Sequence, residues 1–381
     1  MEGRERGKRM RVENSVPEDL IVDIFAKLPV KSLIRFMCLS KSCYQAISDP
    51  QFFRLHLHHS NQSNKQFVLQ ISGGPLTLQS LSFCHHQLLR EPVTLDQPIL
   101  LLSDWRWEMV GSCNGVLCFT TSPQSIHYLG ILNPSIKKLK LVLFPNLEYS
   151  FYPSIGLYRS LDETYISTEI GFGFDSRTSE FKIVIIFREF DSERWRQVQV
   201  YSLRKNSWKV LSNVPNSLYY MYEPQVVVNG AFYWFVNSVI SDCLSILMFD
   251  FTEETFKEIK MPDCFDEDLG EFVRLGEVKG KLSLLLLVYL DEDSSAGDSL
   301  EMWMMEDSGW VRQFVVNRSQ LYGPTCLAMN DEVMLLSTYS NVGHILSCDL
   351  KTLEFTDHEI EEQRPRALTY TPSLALLGEE N

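Results

Sequence analysis

The sequence has no long apolar run, no paired-cysteine motif and no excess of positive charge, and each absence removes a class of protein. Its longest apolar stretch, Leu282 to Leu290, is interrupted by Ser283. It falls well short of the roughly 20 residues that a membrane-spanning helix needs. The nine cysteines, at 38, 43, 84, 113, 118, 243, 264, 326 and 348, include no C-x-x-C pair. Several lie in strand-like runs such as Cys326-Leu327-Ala328-Met329, so they read as small buried hydrophobes in a reducing compartment. Lys and Arg number 35 against 49 Asp and Glu, a formal net charge of −14. The concentrated cationic face that phosphate contacts require is missing, and nucleic acid is not expected as a partner. An acidic surface steers basic or neutral partners instead.

Patterns that carry chemistry are also scarce. His58-His59 and His85-His86 have no third ligand at a metal-like spacing. No G-x-S-x-G nucleophile turn occurs, and Gly171-Phe172-Gly173 opens no helix, so it is no nucleotide loop. The lone His127, His344 and His358 do not suggest a copper cluster. The expectation is a chain without catalysis, metal or cofactor. Residues 1–13 form a charged, basic tail expected to be disordered, without the apolar core of a secretory signal, which points to cytosol or nucleus.

What is present is a folded composition, 45% hydrophobic and 12% aromatic. Residues 14–60 read as helices. Pro17 suits a first helical position, with Glu18 and Asp19 complementing the dipole. Leu20, Ile24 and Leu28 recur at intervals of four, flanked by Ile21 and Phe25, until Pro29. A second segment carries Leu33, Ile34, Phe36 and Met37. Ser40 caps a third, where Cys43, Tyr44 and Ile47 face inward, and Asp49-Pro50 breaks the chain before Phe52-Phe53-Arg54-Leu55-His56-Leu57. His56 to His59 read as decoration at a helix end. About half of residues 16–57 are apolar or aromatic, more than three short helices can cover by themselves, so a face must be buried against something else.

From residue 65 to 378 the helical period gives way to short apolar or alternating runs separated by turn signals. The order recurs: an apolar strand, a tight turn, a second strand, a linker, a strand often ending in Asp or Asn, a polar turn, and an aromatic-led strand. Tight turns fall at Asn114-Gly115, Asn229-Gly230, Lys279-Gly280 and Asn330-Asp331, and aromatic leaders at Trp208, Phe256, Trp310 and Phe355. Their spacing of roughly 50 residues is that of propeller blades. Five copies are legible, weaker strands in 65–103 give a sixth, and Arg366 to Leu377 can supply a closing strand. The fold class is mainly β with a small α N-terminal domain: three helices, then a β-propeller of about six blades, with five or seven left open.

Val16 to Phe52, VPEDLIVDIFAKLPVKSLIRFMCLSKSCYQAISDPQF, resembles the F-box, especially its plant form. GSCNGVLCF, GFGFDSRTSEFKIV, VYSLRKNSWKVL and FDFTEETFKEIKMP resemble the recurring phrases of the F-box-associated, kelch-like domain of plant F-box proteins, although kelch Gly-Gly doublets are absent from the blades. The resemblance implies a non-catalytic substrate receptor of a Skp–cullin–F-box ubiquitin ligase. Its partners are a Skp-type adaptor, through it a cullin, and a protein substrate. It also implies that Pro17, Leu20, Ile24, Leu28, Pro29, Leu33, Phe36, Leu39, Lys41, Tyr44 and Ile47 carry the F-box fold and its adaptor contact. Cys43 stands where many members carry Trp, which removes a large anchor and implies weaker adaptor binding. LEMWMMEDSGWVRQF and SCDLKTLEF further resemble S-locus F-box proteins. Two alternatives stay open: an adaptor-binding protein with a non-degradative or decoy role, and a propeller enzyme with an unrelated helical arm.

The four-strand order puts the tight turns on one face of the ring and the linkers on the other. The linkers are rich in aromatic anchors, Tyr149, Phe151, Tyr152 and Tyr158 within 148–164 and Tyr219, Tyr220 and Tyr222 within 216–223, beside the acidic stretches 263–271 and 291–298. Aromatics beside charges suit a protein-binding surface, which places substrate recognition on the linker face.

Overall fold

The computed structural model describes residues 18–63, 66–70, 81–84, 93–94, 106–122, 128–145, 149–152, 157–160, 165–189, 195–212, 219–238, 243–263, 272–288, 299–317, 325–337, 344–361 and 366–376. Pro17, the paired His85-His86, His127 and most of the acidic stretches lie outside them.

The helical arm has four helices, not three: α1 (Glu18–Ala26), α2 (Val30–Met37), α3 (Lys41–Ile47) and α4 (Pro50–Ser63). Ser40 caps α3 as its sequence suggests, its side chain accepting from the Cys43 N–H at 3.1 Å. The Asp49-Pro50 break is itself a helix start. Asp49 accepts from the Gln51 and Phe53 N–H groups, and Pro50 fills the first helical position, where no N–H is needed. The fourth helix delivers Phe52 to a core of Ala26, Val30, Leu33 and Ile47. Phe25 stacks on Phe36 at 5.2 Å along its margin.

The rest of the described chain is strand. Blade 1 holds β1 (Gln66–Gln70), β2 (Leu81–Cys84) and β3 (Val93–Thr94). Blade 2 holds β4 (Arg106–Cys113), β5 (Val116–Ser122), β6 (Tyr128–Asn133) and β7 (Lys138–Leu143). Blade 3 has an added hairpin, β8 (Tyr149–Tyr152) and β9 (Leu157–Ser160), ahead of β10 (Tyr165–Asp175), β11 (Glu180–Glu189), β12 (Trp195–Ser202) and β13 (Ser207–Val210). Blade 4 holds β14 (Tyr219–Val228), β15 (Ala231–Ser238), β16 (Cys243–Asp250) and β17 (Thr255–Lys260). Blade 5 holds β18 (Phe272–Val278), β19 (Lys281–Val288), β20 (Ser299–Glu306) and β21 (Gly309–Asn317). Blade 6 holds β22 (Thr325–Met329), β23 (Val333–Ser337), β24 (His344–Asp349) and β25 (Phe355–Glu361). The closing strand β26 (Arg366–Tyr370) pairs antiparallel with β1 and completes blade 1. The order within each blade is sequential, so the expected closing strand is present and the ring has six blades.

Six apolar clusters, one between each pair of neighbouring blades, show that the ring is continuous. Strand pleat explains the near-unbroken apolar runs. In β11, Ile183, Ile185 and Phe187 enter the core shared with blade 2, while Val184 and Ile186 enter the core shared with blade 4. Leu284 and Leu285 likewise divide between blades 4 and 6. Asn114-Gly115, Asn229-Gly230 and Lys279-Gly280 all take positive φ at both positions, as hairpin turns of this hand require. Asn330 turns the chain differently, through its side-chain oxygen accepting from the Glu332 and Val333 N–H groups.

Two of the aromatic leaders latch neighbouring blades. The Trp208 indole N–H donates to the Leu143 carbonyl at the end of β7, and Trp310 donates to the Lys260 carbonyl at the end of β17. Blades 3 and 4 are tied differently. The buried Lys182 ammonium meets Asp175 at 2.9 Å, Glu254 at 3.0 Å and the Phe251 carbonyl at 2.8 Å. Burial alone raises the Asp175 carboxyl pKa, but Lys182, Thr178 and Thr252 outweigh it and hold the carboxyl well below the usual carboxylate range.

Candidate functional site

Both kinds of tight turn lie on one face of the ring. The Phe251 N–H, in the β16–β17 turn, donates to the Gly230 carbonyl in the β14–β15 turn, and the Leu350 N–H reaches the Glu332 carbonyl in the same way in blade 6. The helical arm is seated on this turn face. Arg54 of α4 donates to the Ser179 hydroxyl in the β10–β11 turn at 2.7 Å. Ile136, in the β6–β7 turn, and Phe53 pack both with the helical core and with the core of blades 2 and 3. Leu374, downstream of β26, is buried in the helical core itself.

Within the arm, the residues named from the sequence separate into two sets. Leu33 and Ile47 are buried at 0% and 1% exposure, and Leu28 and Phe36 are half-buried against them, so these four hold the helices together. Leu20, Ile24, Leu39 and Tyr44 stand 52%, 55%, 70% and 52% exposed, accompanied by the exposed Pro29 and Lys41. Large apolar side chains left outside a closed core are the mark of a surface meant to be covered. Tyr44, expected to face inward, does not, because Ile47 one turn later takes the interior position. Cys43 is half-buried.

His56 was missed as a structural residue. It does not decorate a helix end but lies buried inside α4, its Nε2 3.0 Å from the Leu28 carbonyl, which ties α4 to the α1–α2 junction. Its Nδ1 has no hydrogen-bond partner. Burial lowers its pKa, against the Leu28 bond and with help from His59. The signal was available: His56 lies four residues after Phe52, on the same helix face.

The aromatic anchors placed in linkers belong instead to strands. Tyr219, Tyr220 and Tyr222 begin β14, paired with Ser238, Asn237 and Phe235. The register shifts between Tyr222 and Val226, where Pro224 cannot donate to the ladder. Tyr149, Phe151 and Tyr152 form β8 and Tyr158 lies in β9, with Phe151 opposite Tyr158. That hairpin extends blade 3 at the first residues of β10, where Tyr165 and Ile166 pair with Arg159 and Tyr158. Linker-like composition misled because short aromatic strands look like sticky loops when their partner is another such strand. Their end of the ring is unchanged by the correction. Tyr219 starts a ten-residue strand that finishes at the Asn229-Gly230 turn, roughly 30 Å away at strand rise. The aromatic strands and the helical arm therefore lie at opposite ends of the blades.

Among the described residues no cluster of three or more His, Cys, Asp or Glu is placed to hold a metal ion. No described helix is long and apolar enough to cross a membrane. Cys113 and Cys118 lie between blades 2 and 3; burial pushes the Cys113 thiol up to about 12, with Glu277 adding to the effect, and raises Cys118 as well. Neither is primed as a nucleophile.

Comparison with known proteins agrees with this division. Residues 14–55 match the F-box domain, and residues 87–376 match the F-box associated beta propeller domain. The F-box protein CPR1 of Arabidopsis thaliana is 26% identical over 336 residues, covering 80% of this chain and 73% of that protein. An F-box/kelch-repeat protein of the same plant is 26% identical over 316 residues, covering 81% and 80%. With a helical arm that exposes its apolar residues and a ring of six blades, the chain belongs to the F-box proteins that carry an F-box-associated β-propeller domain.

Proposed function

We propose that this protein is the substrate-recognition subunit of a Skp–cullin–F-box ubiquitin ligase, with an F-box over residues 14–60 and a receptor propeller over 65–378. The observation that carries the reading is the exposure of Leu20, Ile24, Leu39 and Tyr44 on a helical arm whose interior is already filled. Those four side chains, with Pro29 and Lys41, form the contact for a Skp-type adaptor, and Pro17 joins them. Leu28, Leu33, Phe36 and Ile47 shape that contact from within. Tyr149, Phe151, Tyr152, Tyr158, Tyr219, Tyr220 and Tyr222 surround the opposite end of the ring as the substrate surface.

Placed so, the protein does no bond chemistry. It holds a target at high effective concentration near the ubiquitin-charged enzyme, with adaptor and substrate on opposite ends of one rigid ring. Degradation of the target in cytosol or nucleus follows from that arrangement.

The test is a pair of variants in the full-length chain. Ile24→Asp with Tyr44→Asp is expected to abolish co-purification of a Skp-type adaptor and cullin while leaving the thermal unfolding of the ring unchanged. Alanine at Tyr219, Tyr220 and Tyr222 is expected to leave adaptor binding intact and to remove proteins that accumulate on the receptor when the proteasome is inhibited. A wild-type chain that ignores the adaptor sinks the proposal. Bound partners whose abundance does not respond to proteasome inhibition favour a non-degradative role.

A further inference from the structure

The helical arm does not finish its own core. Leu374 is 2% exposed among Ala26, Val30, Leu33, Ile47 and Phe52, yet it belongs to the segment that leaves the closing strand. Blade 2 fixes that segment before Leu374 reaches the helices. The Asn133 amide donates to the carbonyls of Ser373 at 3.0 Å and Ala375 at 2.8 Å. The Ser373 hydroxyl donates to the Asn114 carbonyl at 2.6 Å, and Lys138 donates to the Leu376 carbonyl at 3.0 Å. A Cβ on Gly115 would overlap the Ser373 side chain and the Thr371 carbonyl, so the glycine is what lets the segment lie so close. Upstream, Tyr370 ends β26, which pairs with β1 from Gln66↔Tyr370 to Gln70↔Arg366. Ring closure and completion of the helical core are therefore performed by one continuous stretch, 366–376.

We propose that adaptor binding is conditional on closure of the ring: Thr371–Leu376 is a working part of the F-box, and Leu374 is a positioning residue for the adaptor contact. Short helices cannot bury this much apolar surface alone. Without Leu374 the core residues that flank it line a cavity, and α1–α3, which present Leu20, Ile24, Leu39 and Tyr44, lose their common support. The order of synthesis gives the device its consequence. The helices are made first, and their last core residue arrives only after β26. A chain with an open ring then offers the adaptor an unfinished surface and does not occupy it with a receptor that cannot hold substrate.

The affinity half of this inference rests on the adaptor reading above; the structural half does not. Hydrogen exchange and adaptor titration on the full chain separate them, using wild type, Leu374→Ala, Leu374→Met and Gly115→Ala. Leu374→Ala is expected to speed amide exchange in α1–α3 at least about tenfold, equivalent to about 1.4 kcal/mol, with exchange in blades 3 to 5 unchanged and adaptor affinity falling by a similar factor. Gly115→Ala acts on the segment without touching a helix and is expected to do the same, whereas Leu374→Met conserves volume and restores both. Unchanged exchange in α1–α3 for Leu374→Ala overturns the proposal, as does a rise shared equally by all blades. Loosened helices with undiminished adaptor affinity overturn the conditionality. A wild-type chain that binds no adaptor sinks the affinity half together with the functional reading, and the exchange result still decides whether the segment completes the helical core.

Discussion

Blade 4 and the helical arm are both rich in large apolar side chains, and they dispose of them in opposite ways. Blade 4 buries Phe232, Trp234, Phe235, Phe249 and Phe251, each at 2% exposure or less, because a sheet has two faces and both are covered by neighbouring blades. The arm has one small interior, already occupied by Leu33, Ile47 and Phe52, and leaves Leu20, Ile24, Leu39 and Tyr44 in solvent. Among the described residues, the exposed large apolar side chains elsewhere, Leu141, Leu143, Val210, Val311 and Val315, all lie on the outermost strands of blades. The lesson is that exposure in the ring marks its rim, whereas exposure in the arm recurs along α1, at the α2–α3 junction and in α3.

The comparison can be broken most forcefully inside the ring. Lys182→Met should destabilise the propeller by about 3–5 kcal/mol, because it leaves Asp175 buried without its cation. Arg177→Ala, at a pair exposed by 61% and 60%, should cost less than about 1 kcal/mol. Urea unfolding of the two variants checks this, and comparable losses would show that blades 3 and 4 do not depend on the buried pair.

Acid should act on the arm before the ring. The folded-state pKa of His56 is depressed, so the unfolded chain binds the additional proton. The contribution of His56 is complete above 6.5 and is lost as pH falls below it toward the folded value. Amide protection in α4 and at the α1–α2 junction, taken relative to the intrinsic exchange rate at each pH, should fall from pH 7 to pH 5 while that of the blades holds. His56→Gln, which can still donate to the Leu28 carbonyl but does not titrate, should flatten that response. A wild-type arm indifferent to pH across this range would remove the titration from the account.

The smallest effect sharpens the picture of the rim. Trp208→Phe keeps the ring contact with Tyr201, at 5.1 Å between centroids, but loses the bond to the Leu143 carbonyl. A loss of about 1 kcal/mol in thermal unfolding is expected, and Trp310→Phe should match it. No change in either variant would show that the indoles only fill space.

Much of this was legible in the residues themselves. Asn-Gly and Lys-Gly pairs announce turns because few residue types accept positive φ, and Ser40 announces a cap because its hydroxyl can replace a missing backbone partner. The aromatic leaders gave the blade period. Two elements were misread for a shared reason. α4 went uncounted as a fourth helix because Asp49-Pro50 reads as a break although it stops one helix and starts the next, and β8–β9 looked like a linker because strand identity depends on a partner that local composition does not name.

Sequence alone determined the class of each half: an amphipathic helical arm with more apolar surface than it can hide, and a repeated four-strand unit. These follow from side-chain periodicity and turn chemistry, which are local. Only the tertiary structure decided the number of blades, the seat of the arm on the turn face, the burial of His56 and the entry of Leu374 into the helical core. Each of those joins residues distant along the chain, and the choice among such pairings is made by how surfaces fit when the ring closes, a property that no short stretch of residues carries.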